Sequence, residues 1–202
     1  MEDPKAVSTD FRTNRRRLPA DHFPITMTST VDVEVRCESP KIGIWRSASS
    51  GDLSELVNAR EAGTPWDSRT CMNAARDGHL DILKYAHENG CPWDERVCES
   101  AATRGHLEVL KYARENGCPW DESTCAAAAK SGHMELFKWA RENDAPAGVM
   151  TAAFAAFGGH KELLEWAIKD GCPWDKKTVQ YAKMNGHEEL AQWAIENGCP
   201  TE

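Results

Sequence analysis

No stretch of this sequence is apolar for the ~18 residues that a bilayer-spanning helix requires. Positive charge is also scarce: 24 lysines and arginines face 32 aspartates and glutamates, a formal net charge of −8. Nucleic-acid binders usually carry a basic face that displaces counterions, so this balance argues against one. The first residues, MEDPKAVSTDFRTNRRR, are polar where a secretion signal would place a greasy core. The expectation is a chain kept in the cytoplasm, with no membrane partner and with its eight cysteines held as thiols. A phosphate-binding glycine loop, a nucleophile elbow and an HExxH pair are missing too. So is the tight cysteine spacing of structural zinc sites: Cys91 and Cys98, like Cys118 and Cys125, lie too far apart in sequence.

What the sequence does have is a period. Gly-His recurs at Gly78-His79, Gly105-His106, Gly132-His133, Gly159-His160 and Gly186-His187, always 27 residues apart, and Gly51-Asp52 holds the same register one step earlier. Proline follows suit at Pro65, Pro92, Pro119, Pro146, Pro173 and Pro200, and alanine at Ala59, Ala86, Ala113, Ala140, Ala167 and Ala194. A period between roughly 20 and 50 residues marks a solenoid or a related array.

Each unit reads as two short helices. Asp67, Asp94, Asp121 and Asp175 follow Pro-Trp and can cap a first helix by accepting from its free amides. That helix carries small residues such as Cys98, Ala101 and Ala102, and stops at the glycine of Gly-His, which permits a left-handed turn. A second helix is apolar at Leu107, Val109, Leu110, Tyr112 and Ala113, and ends at Asn116-Gly117. Its polar side offers i,i+3 pairs, Asp81–Lys84, Glu108–Lys111 and Glu135–Lys138, each worth ~0.2–0.5 kcal/mol.

The run AATRGHLEVLKYARENG is similar to the ankyrin-repeat signature AA-x-x-GH-L-E-V-V-K-L-L-L-E-x-G, and the similarity extends from about Lys41 to Cys199. The unit is 27 residues, shorter than the ~33 of the ordinary ankyrin repeat. The residues that would build the β-hairpin finger are compressed to CPWD, so the chain resembles the short, CPWD-type ankyrin repeats of unicellular eukaryotes and large DNA viruses. The resemblance implies an all-α, ankyrin-type solenoid of about six short helix-turn-helix repeats, with the hairpin finger reduced or absent. The units fall at about 41–64, 65–91, 92–118, 119–145, 146–172 and 173–199. Terminal units need a polar outer face, and Asn58 and Glu188 stand where inner units carry Tyr85 and Leu80. Residues 1–40 show no repeat; they read as a mostly disordered leader, with a strand-like VDVEVRC at 31–37. Arg15-Arg16-Arg17 raises nuclear entry alongside the cytoplasm.

Repetition also weighs against chemistry. A catalytic histidine needs one particular partner, whereas His79, His106, His133, His160 and His187 are equivalent copies at helix starts, where they can bond exposed backbone groups. Cys71, Cys98 and Cys125 form one ladder and Cys91, Cys118, Cys172 and Cys199 another, with Thr64 and Ala145 replacing the latter at similar size. Small buried thiols explain both. Trp66, Trp93, Trp120 and Trp174 read as a sealing ladder, and His87 as surface. No catalytic residue, cofactor or metal is expected.

Specificity should lie where the repeats differ. Behind the Ala-Ala pair stand Arg76 and Asp77, Thr103 and Arg104, then Lys130, Phe157 and Met184. The resemblance places these columns on the concave face that contacts a partner. The fifth unit breaks the motif: Asp144-Ala145-Pro146-Ala147-Gly148 replaces GCPWD, predicting a looser loop. Its first helix presents Met150, Phe154 and Phe157 beside Tyr181 and Met184 of the sixth, an apolar patch of the kind that marks a partner site. Phe154 and Tyr181 could instead fill the space of the missing tryptophan.

The favoured reading is a non-enzymatic, monomeric scaffold binding another protein through the first helices. The partner-binding residues would be Arg76, Asp77, Thr103, Arg104, Lys130, Met150, Phe154, Phe157, Tyr181 and Met184. The alternative is a structural or competitor repeat fragment with no specific ligand. A metal-binding or redox protein built on the cysteine ladders stands third.

Overall fold

The computed structural model describes residues 44–201; the expectations for the leader, for Arg15-Arg16-Arg17 and for the strand at 31–37 lie outside them. Twelve helices fill the described residues, and no strand occurs among these. They alternate as first and second helices of successive units: α1 (Trp45–Ser50) and α2 (Leu53–Glu61), α3 (Ser68–Asp77) and α4 (Leu80–Glu88), α5 (Glu95–Arg104) and α6 (Leu107–Glu115). The series continues with α7 (Glu122–Ser131) and α8 (Met134–Glu142), α9 (Val149–Phe157) and α10 (Lys161–Lys169), α11 (Lys176–Met184) and α12 (Glu188–Glu196).

Local chemistry explains the boundaries. The carboxylates of Asp67, Asp94, Asp121 and Asp175 accept the amides of Arg69, Arg96, Ser123 and Lys177 at 2.9–3.1 Å, satisfying donors that a helix start leaves free. α9 has Gly148 at this position and no side-chain cap; the Gly148 amide donates to Thr151 Oγ1 instead. Gly78, Gly105 and Gly132 end α3, α5 and α7 in the left-handed region, at φ of 75–82°. A Cβ there would be strained by the backbone alone.

First helices pack on first helices along the whole stack, more closely than second helices approach one another. The cause is side-chain size. Ala74, Ala75, Ala101, Ala102, Ala128, Ala129, Ala155 and Ala156 are fully buried between first helices, where small residues permit close approach. The second helices carry Tyr85, Tyr112, Trp139, Trp166 and Trp193 and stand further apart. Closer spacing on one side bends the rod toward its first helices. Between the two rows lie Ile82, Leu83, Val109, Leu110, Leu136, Phe137, Leu163 and Leu164, all buried, each such side chain contributing about 1.5–3 kcal/mol.

The first and last of the described units carry polar residues in columns that are apolar elsewhere. Glu55 is exposed in the column that holds Ile82 and Val109 further on, and Lys183 is exposed in the column of Ala75, Ala102, Ala129 and Ala156. Either residue in an inner unit would bury an unpaired charge.

Candidate functional site

The ladders bind the stack together. His79, His106, His133 and His160 each place Nε2 within 3.1–3.3 Å of a carbonyl in the preceding unit, those of Ser49, Arg76, Thr103 and Lys130. Since a carbonyl only accepts, Nε2–H donates. This corrects the expectation that these rings bond the start of their own helix: none caps it. Asp52 has no described unit before it and does cap its own helix, accepting from Glu55 at 2.9 Å. In the last unit Asn185 Nδ2 takes the Phe157 carbonyl at 2.8 Å, and His187 lies beside Asn185.

All seven described cysteines are free and buried. Cys91, Cys118, Cys172 and Cys199 point their thiols at the carbonyls of Asp67, Asp94, Gly148 and Asp175, at 3.2–3.6 Å. The Cys71 thiol is pushed up by its hydrogen bond to Cys91 and by burial, and burial above all pushes Cys125 up to about 12, with nearby Arg141 pulling the other way. Thiols buried in this way are screened from reagents and from metal ions. Among the described residues no three His, Cys, Asp or Glu side chains gather as a metal site.

The Pro-Trp rings seal the second-helix side. Trp66 meets Tyr85, Trp93 meets Tyr112, Trp120 meets Trp139 and Trp174 meets Trp193, with centroids 6.1–6.4 Å apart. A flat cation or ring from the preceding unit covers several of them: Arg60 over Trp66, His87 stacked on Trp93 at 3.6 Å, Arg114 over Trp120. His87 is therefore a packing residue rather than solvated surface. Of the three i,i+3 pairs only Glu108–Lys111 closes, at 2.7 Å. Lys84 and Lys138 instead reach the Tyr112 and Trp166 rings of the next unit, because an aromatic face lies within reach of their long stems.

The fifth-unit loop keeps the backbone hydrogen bonds of its siblings although it loses their side-chain cap. Its Asp144 and Ala145 amides donate to Arg141 and Ala140 carbonyls just as Gly90 and Cys91 donate to His87 and Ala86. Asp144 adopts the left-handed φ of 64° that glycine takes elsewhere. Arg141, with no ring at 147 to cover, pairs with Asp170 at 2.7 Å and donates to the Ala145 carbonyl at 2.6 Å. Phe137, not Phe154, packs on Trp166, the second-helix ring that lacks its usual partner.

The first helices present a second exposed face, and its character changes along the rod. In early units charge is paired internally: Arg69 with Asp67, Arg96 with Asp94 and Ser68, Arg76 with Asp77 and Ser49. Arg76 and half-buried Asp77 thus satisfy each other. Thr103 turns its hydroxyl to the Glu99 carbonyl, and Arg104 is exposed. Later units are aromatic. Phe154 and Phe157 lie 5.9 and 6.3 Å from Tyr181, and Lys130 Nζ sits 5.6 Å from both phenylalanine centroids. Met184, 74% exposed, ends α11 one unit beyond Phe157, and Met150 lies beside Lys177 Nζ at 3.9 Å. Lys130, Phe154, Phe157 and Tyr181 therefore form one cluster across α7, α9 and α11.

Beside it opens a depression of about 390 Å³ over α5, α7 and α9. Ala126 and Ala127 lie at its base, Met150 and Phe154 on one side, Glu99 and Thr103 on the other, with Asp121 and Glu122 at the edge. The sequence columns omitted it. The only written signal is a pair of alanines at positions where flanking units carry Glu99 and Ser100, then Ala153 and Phe154.

The family model of ankyrin repeats (many copies) matches residues 71–114, from within α3 to within α6. No curated protein matches the sequence. Among solved structures the chain is similar to the human ASB11 ankyrin repeat domain, at 16% sequence identity and a TM-score of 0.62, over 77% of this chain and 83% of that one. At such identity the likeness is one of fold: an all-helical, ankyrin-type solenoid. Ankyrin repeats are generally protein–protein interaction modules, and proteins built of them are generally non-enzymatic.

Proposed function

We propose that the chain is a non-enzymatic, monomeric scaffold of short, CPWD-type repeats that binds another protein on the concave face of its first helices. The observation that carries this reading is the cluster of Lys130, Phe154, Phe157 and Tyr181 with exposed Met184 at its margin. Phe154, Phe157 and Tyr181 pack on one another across α9 and α11 yet stay only half-buried, and Met184 is left exposed. Ladders of alanine, histidine, cysteine and tryptophan already hold the units together, so large apolar side chains in otherwise polar columns serve another contact. Aromatic and long flexible apolar groups supply most of the energy of such contacts.

Arg104 supplies an exposed positive charge near the early units, and Arg76, Asp77 and Thr103 shape the surface around it. Formal charge of −8 disfavours a nucleic-acid ligand. Among the described residues no helix is long and apolar enough to cross a membrane, and the reading places the scaffold in the cytoplasm, with nuclear entry through Arg15-Arg16-Arg17.

The test is affinity capture with three baits: the native chain, Phe157→Glu with Met184→Glu, and a back-face control, Glu115→Lys. Equal helicity is verified first. A prey lost only from the Phe157/Met184 double variant supports the reading. Preys identical on all three baits would sink it and favour a repeat fragment without a specific ligand.

A further inference from the structure

We infer that the depression over α5, α7 and α9 is a specificity pocket for a protein segment that carries a lysine or arginine next to a large apolar residue. This rests on the scaffold reading above and names the chemistry of the partner.

The pocket exists because Ala126 and Ala127 of the fourth unit stand between Glu99 of the third and Phe154 of the fifth. Ala126 is buried and Ala127 half-buried on α7, so nothing projects from the middle of the face. On one side Met150 and Phe154 rise from α9; on the other stand Glu99 and Thr103 from α5. A space of about 390 Å³ with an alanine floor and an aromatic wall accepts one large apolar side chain.

Its rim is polarised. Toward the start of α7 stand Asp121 and Glu122, with Glu99 opposite; toward its end stands Lys130. Asp121 is committed to its cap, bonded to the amide and hydroxyl of Ser123. Lys130 is committed to the rings of Phe154 and Phe157. Glu99 and Glu122 are different: among the described residues neither has a cation within ion-pair distance. Glu122 leans over Gly148, where a Cβ would overlap its carboxylate, so the loss of the Pro-Trp-Asp motif in the fifth unit gives this acid its place at the rim. Two unpaired carboxylates beside an apolar hollow suit a cation beside an apolar side chain. An acidic segment would meet repulsion there, and that repulsion contributes as much to selection as the attraction does.

The test is selection of random linear peptides on the full-length protein, then titration of the enriched peptides by fluorescence anisotropy at low and high salt. The expected consensus places Lys or Arg beside Leu, Met, Phe or Trp. Ala127→Trp, which fills the hollow, should weaken binding about tenfold or more. Glu99→Lys with Glu122→Lys alters only the rim, and should weaken it about tenfold and abolish its salt sensitivity. Circular dichroism confirms that each variant folds; should Ala127→Trp fail to, the rim variant decides. An acidic consensus, no consensus, or a basic one whose affinity survives both variants would overturn the inference. Peptides lost only by Phe157→Glu with Met184→Glu would overturn the pocket and leave the scaffold reading standing. Peptides indifferent to every first-helix variant would sink both.

Discussion

His106 donates from Nε2 to the main-chain carbonyl of Arg76, 3.1 Å away and one unit earlier in the stack. The ring reaches it by lying across Gly78, where a Cβ would stand 2.6 Å from His106 Cε1. Gly51, Gly78, Gly105 and Gly132 therefore each end their own helix and make room for the next unit's histidine. Two jobs fall on one residue.

Those jobs can be separated by experiment. Gly78→Ala suffers both backbone strain at φ 82° and collision with His106, whereas Gly90→Ala, at φ 79°, has nothing within 4 Å of the new Cβ. Backbone strain alone should cost each about 1 kcal/mol in urea unfolding. Gly78→Ala should cost at least about 1 kcal/mol more, and His106→Ala in the Gly78→Ala background should recover part of that excess, a coupling typical of residues in contact. Equal losses for both glycines would show that the ring contact adds nothing.

Asp94 caps α5 and is gripped by Arg96 at 2.6 Å; that hydrogen bond first, and the nearby charge with it, holds its carboxyl below the usual range, as Arg69 does for Asp67. A carboxyl depressed in the folded state stabilises the fold fully above its unfolded value of about 3.9, and the contribution disappears as pH falls through the lower folded value. Asp94→Asn should therefore lose little through the cap, since asparagine caps well, yet flatten the acid limb of stability below about pH 4. Asp94→Ala should cost about 1 kcal/mol at neutral pH. Thermal melts at several pH values read both; an unchanged acid limb in Asp94→Asn would refute the linkage.

The fold was legible because repetition writes each local signal several times over. Asp94 before a small-residue run and Gly105 after it announce a helix wherever they recur, and Lys183 or Glu55 in an apolar column announces an end. Contacts between units were not legible, since a period tells which residues share a column but not where a column points. That is why the sequence reads His87 as surface while the ring stacks on Trp93, and pairs Lys84 with Asp81 while the amine reaches Tyr112. A clue was present: Arg60, His87 and Arg114 each stand six residues before a Pro-Trp tryptophan, and Arg141 stands six before Ala147. The groove was hidden for a similar reason. Ala126 and Ala127 are unremarkable on one helix and become a floor only between Glu99 and Phe154.

Asp144 holds a left-handed φ of 64° at the position that Gly63, Gly90, Gly117, Gly171 and Gly198 occupy in other units. Its side chain is exposed, so it gains little from packing there. Asp144→Gly should raise stability by about 0.5 kcal/mol, the relief of strain being partly offset by the freer unfolded chain. A drop in the unfolding midpoint would mean that the aspartate makes a compensating contact.

The cysteine ladders make a prediction that separates structural thiols from reactive ones. Cys71, Cys98 and Cys125 are completely buried, and burial pushes the Cys125 thiol up to about 12, so it stays protonated at pH 8. Alkylation by iodoacetamide needs access for the reagent, and the stack denies it at all three. Peptide mapping by mass spectrometry should find these three unmodified in native protein after labelling that is complete in urea. With unfolding as the only route to modification, the native labelling rate in Gly78→Ala should rise about tenfold for each ~1.4 kcal/mol of stability it loses. Rapid native labelling of Cys125 would show that the fifth-unit loop, whose Ala145 carbonyl lies 3.9 Å from that thiol, opens independently of the stack and leaves the cysteines available for chemistry.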